Sequence, residues 1–394
     1  MRDVILHLPQ WLTNAKDATS PPFKSASNLT LIYFITGNPG LIAYYSTFLK
    51  LLAEGAGKNA IVAGASLGGF EVSGLNASVN TLENELLHPP LFSRQSLYDL
   101  QGQVNLTYER LTALVSNIKT TYPVASTDGN PIQVILIGHS VGAYIALQLV
   151  HRQHALHTSQ RYDWKPDATI TATMLLTPTI QDIANSTSGK LATPLLSNIP
   201  FFPALLQLGA SALTSTIPIS WLRSLVSRIT GMRSGSDALN ATVQFLRTPG
   251  AVNQALYMAG CEMREIGREE WKDEVWGAAV TEQTEALTQD GTERLQSDGE
   301  KEGSVADAES KRPEAVVTAQ SRNSAQWTAP KHYFLFAMED HWVADETREA
   351  IVQAVGGRAK VVIGEPRGDE KGLVHAWCLE QSELVAETVN SWLR

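Results

Sequence analysis

Cysteine is nearly absent from this chain, which has only Cys261 and Cys378 among its 394 residues. Two thiols cannot build the disulfide framework of a small secreted protein, and their scarcity favours a cytosolic-facing location. The N-terminal sequence from Met1 to Pro9 has too short an apolar run for a secretory signal peptide. We therefore expect a globular protein that is not exported, long enough for one large domain with an insertion.

Positive charge is also scarce. The chain has 31 basic and 40 acidic residues, a net charge of −9, which argues against a nucleic-acid partner. Much of the excess lies in residues 281–314, where ten acids and four bases give a net charge of −6. The wider segment 281–328 is polar and poor in aromatic residues, so we predict a disordered loop with no catalytic role.

Short apolar runs alternate with segments of helical spacing along most of the chain. Predicted strands are Leu29 to Thr36, Ala60 to Ala65, Val134 to Ile137, Ala168 to Thr177, Tyr333 to Met338 and Lys360 to Ile363. Predicted helices are Ala43 to Glu54, Tyr98 to Tyr122, Ala143 to Val150, Asp345 to Val355 and Ser382 to Leu393. This alternation predicts an α/β fold with a mostly parallel sheet and helices on both faces. The core would comprise residues 1–180 and 329–394.

The most informative motif is Gly138-His139-Ser140-Val141-Gly142. A β-branched run precedes it, and a segment of good helix formers without glycine or proline follows it. Strand, tight turn and helix form the G-x-S-x-G nucleophile elbow of the α/β-hydrolase fold, in which the serine has strained dihedrals and the glycines allow close approach. We therefore predict that Ser140 is an acyl-accepting nucleophile, with the side chain of His139 pointing away from the substrate.

A second match to the same pattern surrounds Ser66, in Gly64-Ala65-Ser66-Leu67-Gly68. The segment after it, from Gly68 to Gly74, is rich in glycine and predicts a loop rather than a helix. We therefore place Ser66 at the end of an inner strand and favour Ser140 as the nucleophile.

A serine nucleophile needs a histidine base held by a carboxylate, and α/β-hydrolases carry them in the order serine, acid, histidine. Among nine histidines, His375 lies between the last predicted strand and the last predicted helix, where this order requires the base. Asp340 follows the penultimate strand and is the favoured acid, with Glu339 and Asp345 as rivals.

Two backbone N–H groups must stabilise the oxyanion that develops on the substrate. Val141, directly after the nucleophile, offers one. Asn38 in the turn Gly37-Asn38-Pro39-Gly40 offers the other, because Pro39 has no N–H. We predict no cofactor, no phosphate-binding loop and no metal site, and interpret His151, His154 and His157 as a solvated helix end.

Residues 181–280 are predicted to be an inserted, apolar helical cap over the active site. From Leu191 to Leu222 there is no charged residue, while four prolines argue against one straight transmembrane helix. Arg223, Arg228 and Arg233 follow. An apolar hairpin with this basic flank suits shallow insertion into a lipid surface through about Leu191 to Met232. A cap that only packs against the core explains the composition equally well.

The segment Phe34-Ile35-Thr36-Gly37-Asn38-Pro39-Gly40-Leu41-Ile42-Ala43-Tyr44-Tyr45 resembles the signature of the lipid-droplet-associated serine hydrolase family. The elbow, Glu339-Asp340-His341-Trp342 and His375-Ala376 follow in the same order. The resemblance implies an α/β-hydrolase fold, the triad Ser140, Asp340 and His375, residence on lipid droplets and endoplasmic reticulum, and hydrolysis of lipid esters such as sterol esters. Thr36 stands where many hydrolases of this fold carry histidine.

The motifs, the apolar segment and the family resemblance are compatible with three functions. We favour a serine esterase or lipase that hydrolyses apolar lipid esters through an acyl-enzyme on Ser140, because the cap segment lacks charge. The alternatives are a droplet-binding or droplet-organising protein with little turnover, and a soluble carboxylesterase or thioesterase whose apolar segment is only a cap.

Overall fold

The computed structural model describes residues 3–14, 29–72, 97–122, 131–159, 167–199, 201–267, 271–277, 327–366 and 371–394. Within them is a seven-stranded sheet of β1 (Val4–His7), β2 (Thr30–Ile35), β3 (Ala60–Ala65), β4 (Ile132–His139), β5 (Ala168–Leu176), β6 (Lys331–Ala337) and β7 (Ala359–Gly364). The strand order is β1-β3-β2-β4-β5-β6-β7, and β1 alone runs antiparallel to its neighbour. The sheet is therefore mostly parallel, as the sequence predicts.

The helices of the core cover both faces of this sheet. They are α1 (Gln10–Asn14), α2 (Ser46–Gly55), α3 (Leu100–Thr121), α4 (Val141–Ser159), α11 (Asp345–Val355) and α12 (Ser382–Leu393), numbered in chain order. Side chains of β2 alternate between the two layers, because successive residues of a strand point to opposite faces. Leu31 and Tyr33 join the cluster built with α3 and α4, whereas Ile32 and Phe34 join the cluster built with α2 and α12. Burial of both faces explains why the strands are continuous apolar runs.

The insertion lies between β5 and β6 and is helical. Its helices are α5 (Thr187–Asn198), α6 (Phe202–Thr216), α7 (Ile219–Thr230), α8 (Asp237–Arg247), α9 (Ala251–Glu265) and α10 (Asp273–Trp276). Three helices, rather than the expected hairpin, occupy most of the charge-free stretch. Pro203 is the second residue of α6 and Pro218 caps α7, positions at which a backbone N–H has no partner within the helix. In the described part of the chain, no helix is long and apolar enough to cross a membrane.

Helix α7 is apolar on two sides. Leu222 and Val226, one turn apart, are buried against Leu239 and Val243 of α8. Trp221 and Ile229 are 72% and 76% exposed on the other side. Twelve of the sixteen exposed large hydrophobic residues in the described structure lie between residues 191 and 229. We call them the apolar surface: Leu191, Leu195, Ile199, Phe201, Leu205, Leu206, Leu208, Leu213, Ile219, Trp221, Leu225 and Ile229.

The strand β1 was not among the predicted elements. It is four residues long and is held by its pairing with β3, a partner almost sixty residues away. The predicted disordered loop 281–328 lies outside the described residues except for its last two.

Candidate active site

The elbow has the geometry that its sequence predicts. Ser140 joins β4 to α4 with φ of 53°, in the left-handed region that a non-glycine residue adopts only under constraint. A side chain at Gly142 would collide with the backbone oxygens of Ile35 and Thr36, and one at Gly138 would collide with the backbone of Gly142. Both glycines therefore permit the close contact between strand and helix that holds this turn.

The structure brings Ser140, His375 and Asp340 together. Ser140 Oγ lies 3.0 Å from His375 Nε2, and His375 Nδ1 lies 2.8 Å from Asp340 Oδ2. The other oxygen of Asp340 accepts a hydrogen bond from Trp342 N at 2.8 Å, which fixes the carboxylate. An ionised carboxylate only accepts, so Nδ1 of His375 carries the proton and Nε2 is free to accept one from the serine hydroxyl.

The rivals for these roles lie elsewhere. Glu339 is exposed, and Asp345 forms a surface ion pair with Arg348 at 2.9 Å. Ser66 follows β3, is 1% exposed, and shares hydrogen bonds with the Asp3 carboxylate and the Ile42 N–H. No helix begins in the described residues that follow it, 67–72, so its pattern lacks the strand–turn–helix context of an elbow there.

His139 forms hydrogen bonds with two residues around the catalytic group. Its Nε2 is 2.9 Å from the carbonyl oxygen of His375, and its Nδ1 is 2.7 Å from the hydroxyl of Tyr45. The carbonyl can only accept, so Nε2 carries the proton and Tyr45 donates to Nδ1. Burial, with the neighbouring charge of His375, lowers the pKa of His139 to about 3. His139 is therefore a neutral link between the Tyr45 hydroxyl and the loop that carries His375.

Tyr45 also explains the spacing of the segment that begins at Gly37. Its hydroxyl accepts a hydrogen bond from Gly37 N at 3.2 Å, so it ties the turn after β2 to His139. A Cβ on Gly37 would lie 3.0 Å from His139 Nδ1 and 3.1 Å from Ser140 Cβ. The turn that carries Asn38 thus lies against the elbow. Sequence reasoning noted the tyrosine pair only as a family resemblance and missed this role.

The side chain of Asn38 reaches into the insertion. Its amide nitrogen donates to Ala255 O and to Glu262 Oε1, each at 2.9 Å. Val141 is the first residue of α4, where backbone N–H groups have no partner within the helix. The two N–H groups predicted for oxyanion binding therefore belong to segments that meet at Ser140.

Thr179 is a further neighbour of the nucleophile. Its hydroxyl lies 3.4 Å from Ser140 Oγ, and its N–H donates to Ser140 O at 3.3 Å. Thr36 is buried, and its hydroxyl has no hydrogen-bond partner among the described residues. Sequence reasoning did not single out Thr179, because only the fold brings it to the elbow.

Among the histidines near the end of α4, His154 and His157 are half-buried, whereas His151 is exposed. His151 lies 3.7 Å from the carboxylate of Glu274, and His154 and His157 contact the ring of Trp327. A carboxylate therefore lies near one of these histidines. Within the described ranges, no group of three or more histidine, cysteine, aspartate or glutamate residues could hold a metal ion.

The sheet order, the elbow between β4 and α4, and the order serine, aspartate, histidine define an α/β-hydrolase. One hydrolase family matches the sequence of this chain. Residues 28–289 match the model of the lipid-droplet associated hydrolase family, and the chain belongs to that family. The matched range includes Asn38 and Ser140 and ends before Asp340 and His375.

Three relatives illustrate the likeness, and each is named a lipid droplet-associated hydrolase. The Gallus gallus protein is 30% identical over 254 residues, which are 64% of this chain and 67% of the relative. The Rattus norvegicus protein is 28% identical over 60% of this chain and 62% of the relative. The Homo sapiens protein is 26% identical over the same shares. The chain thus matches about two thirds of the length of these relatives.

Two hydrolases are among the solved structures whose backbone is similar to that of this chain. The haloalkane dehalogenase DatA from Agrobacterium tumefaciens has a TM-score of 0.47 and 14% identity, covering 94% of this chain and 90% of DatA. A laboratory-evolved variant of a potato epoxide hydrolase has a TM-score of 0.47 and 12% identity, covering 93% of this chain and 92% of the variant.

Proposed function

We propose that the protein is a serine hydrolase of apolar lipid esters, of the sterol ester or acylglycerol type. The observation that carries this proposal is the unbroken hydrogen-bond relay from Asp340 through His375 to Ser140. The proposed place of action is the cytosolic face of the lipid droplet surface and the endoplasmic reticulum.

The relay supplies the chemistry of acyl transfer. Ser140 Oγ attacks the ester carbonyl carbon while its proton passes to His375 Nε2. The carbonyl oxygen becomes an oxyanion, which the N–H groups of Asn38 and Val141 stabilise. When the intermediate collapses, the ester C–O bond breaks, and the alcohol leaves with the proton from His375. The acyl group remains on Ser140.

Water completes the reaction by the same steps. It attacks the acyl carbon, His375 takes its proton, and the bond to Ser140 breaks as His375 returns the proton to the serine oxygen. Asp340 stays ionised and stabilises the imidazolium formed in both halves. The products are a carboxylic acid and an alcohol.

The preference for a lipid surface rests on the insertion. A contiguous stretch of sequence that leaves twelve large apolar side chains exposed is unusual for a soluble monomer and marks an interaction surface. The flanking Arg223, Arg228 and Arg233 suit the phosphate groups of a lipid headgroup layer. The names of the relatives, lipid droplet-associated hydrolases, also support a lipid surface as the place of action. This surface favours a lipid-associated enzyme over a soluble carboxylesterase or thioesterase.

Labelling with a fluorophosphonate probe tests the proposed chemistry. The wild-type protein and Ser66→Ala are expected to react with the probe, and Ser140→Ala is expected to lose the reaction. Circular dichroism and thermal melting check that each variant is folded. A folded wild-type protein that does not react would reject the esterase and favour a droplet-binding protein with little turnover.

A further inference from the structure

Glu262 carries a carboxyl group that is buried inside the protein. It lies on α9 of the insertion, is 4% exposed, and forms no ion pair with a described residue. Its hydrogen bond comes from the side-chain amide of Asn38 at 2.9 Å. Burial raises the pKa of Glu262 to about 8, and the hydrogen bond from Asn38 lowers it only in part. The group is therefore mostly protonated at neutral pH.

The two hydrogen bonds donated by the Asn38 side chain connect the turn after β2 to helix α9 of the insertion. Ala255 and Glu262 are seven residues apart, two turns of α9, so both present acceptors to Asn38 from one side of the helix. Tyr45 holds the other end of the turn through Gly37 N. The position and direction of the Asn38 backbone N–H are consequently fixed by the side chains of Glu262 and Tyr45, in roles that the sequence did not predict.

We infer that Glu262 is a positioning residue, which holds the Asn38 side chain through this hydrogen bond and thereby aims the Asn38 backbone N–H at the oxyanion. This inference rests on the proposed function, because it assigns a role in the same acyl transfer. When Glu262 ionises, a negative charge arises one side chain away from the place where the oxyanion must develop. Like charges in a buried environment repel strongly, so the acyl-transfer rate falls.

Charged groups on the surrounding elements do not enter the titration of Glu262. Helices α3, α5, α6 and α8 and the 3₁₀ helix Ile183–Asn185 pack against α9. Neither α6 nor Ile183–Asn185 carries a titratable side chain. The titratable residues of the other packed helices and of α9 itself are Tyr108, Glu109, Arg110, Lys119, Lys190, Asp237, Arg247, Tyr257, Cys261, Arg264 and Glu265. None of them contributes to the pKa of Glu262, which burial and Asn38 set.

The test compares Glu262→Gln and Glu262→Leu with wild type in the full-length protein, using steady-state hydrolysis of p-nitrophenyl butyrate from pH 6 to 10. Glutamine can accept from Asn38 and cannot ionise, whereas leucine can do neither. We expect Glu262→Leu to lower kcat about tenfold or more with little change in KM, because misplacement of a transition-state donor mainly slows the chemistry. Glu262→Gln is expected to restore most of kcat and to abolish the decline above about pH 8.

Glu265→Gln is the matched control, since Glu265 is an exposed carboxyl one turn further along the same helix. Its pH profile is expected to follow wild type. An unchanged alkaline decline in Glu262→Gln, or a wild-type kcat in folded Glu262→Leu, would overturn the inference while leaving the esterase intact. A wild-type protein that neither hydrolyses the ester nor reacts with a fluorophosphonate would overturn the proposed function, and the positioning role with it.

Discussion

Replacing Trp221 and Ile229 together by serine separates lipid binding from folding. Both side chains lie on the outward side of α7, eight residues apart, and are 72% and 76% exposed. The inward side of the helix packs through Leu222 and Val226, which the double substitution leaves intact. We expect the double variant to bind lipid droplets far more weakly while its stability is almost unchanged.

The size of the effect follows from the exposed areas. A large aromatic side chain offers up to about 250 Å², so the 72% of Trp221 that is exposed gives up to about 4.5 kcal/mol on full transfer from water at about 25 cal/mol per Å². The exposed part of Ile229 gives about 1–2 kcal/mol in the same way. Shallow insertion removes roughly half of this area from water, leaving about 3 kcal/mol, which is about a 100-fold change in partition coefficient. Surface substitutions typically change stability by less than about 0.5 kcal/mol.

Flotation with triolein droplets coated by a phospholipid monolayer measures the partition coefficient, and urea unfolding measures stability. Ile363→Ser is the matched control, because Ile363 is 41% exposed on β7, outside the insertion. A double variant that floats like wild type would refute the role of the apolar surface in lipid binding. A large loss of stability would instead show that these side chains belong to the packed cap.

Three further predictions concern the site and its support. Asp340→Asn is expected to lower kcat/KM about 10³–10⁴-fold in ester hydrolysis, because an amide no longer selects the productive tautomer of His375. Tyr45→Phe leaves the Gly37 N–H and His139 Nδ1 without their partner, so urea unfolding is expected to show a loss of about 1–3 kcal/mol. The raised pKa of Glu262, about 8, means that the folded state binds its proton more tightly than the unfolded state. Wild type therefore loses stability relative to Glu262→Gln as pH rises from about 4.5 to about 8, a trend that melting curves across this range would show or reject.

The sequence predicts those parts of the protein that depend on local pattern. Strand β3 and helices α11 and α12 begin and end at the predicted residues, because each is a single apolar run or stripe between clear interruptions. The elbow could be identified for the same reason, since glycine spacing, strand and helix are all local. His375 and Asp340 were placed by chain order, which reflects the topology that brings loops at the same sheet edge together.

Contacts between distant segments were beyond such reasoning. The four residues of β1 do not predict a strand by themselves, because this strand depends on its pairing with β3. Glu262 resembles an ordinary helical glutamate, although the apolar Met258, four residues earlier on the same side of α9, gives a weak signal that the position is buried. Its partner Asn38 lies more than two hundred residues earlier in the chain. Only the fold joins them.

The charges beside the apolar surface favour the proposed lipid layer over a second copy of the chain as the partner of this surface. The sequence from Leu191 to Ser236 contains Arg223, Arg228 and Arg233 and no acidic residue, in a chain of net charge −9. Two copies meeting here would bring like charges together, whereas anionic headgroups complement them. Each arginine near such a surface contributes about 1 kcal/mol, so Arg223→Gln with Arg228→Gln is expected to weaken binding about 30-fold. Droplets coated with phosphatidylserine and phosphatidylcholine should show this loss, and high salt should reduce it. Equal loss on purely zwitterionic droplets, or a stable dimer in sedimentation, would contradict the argument.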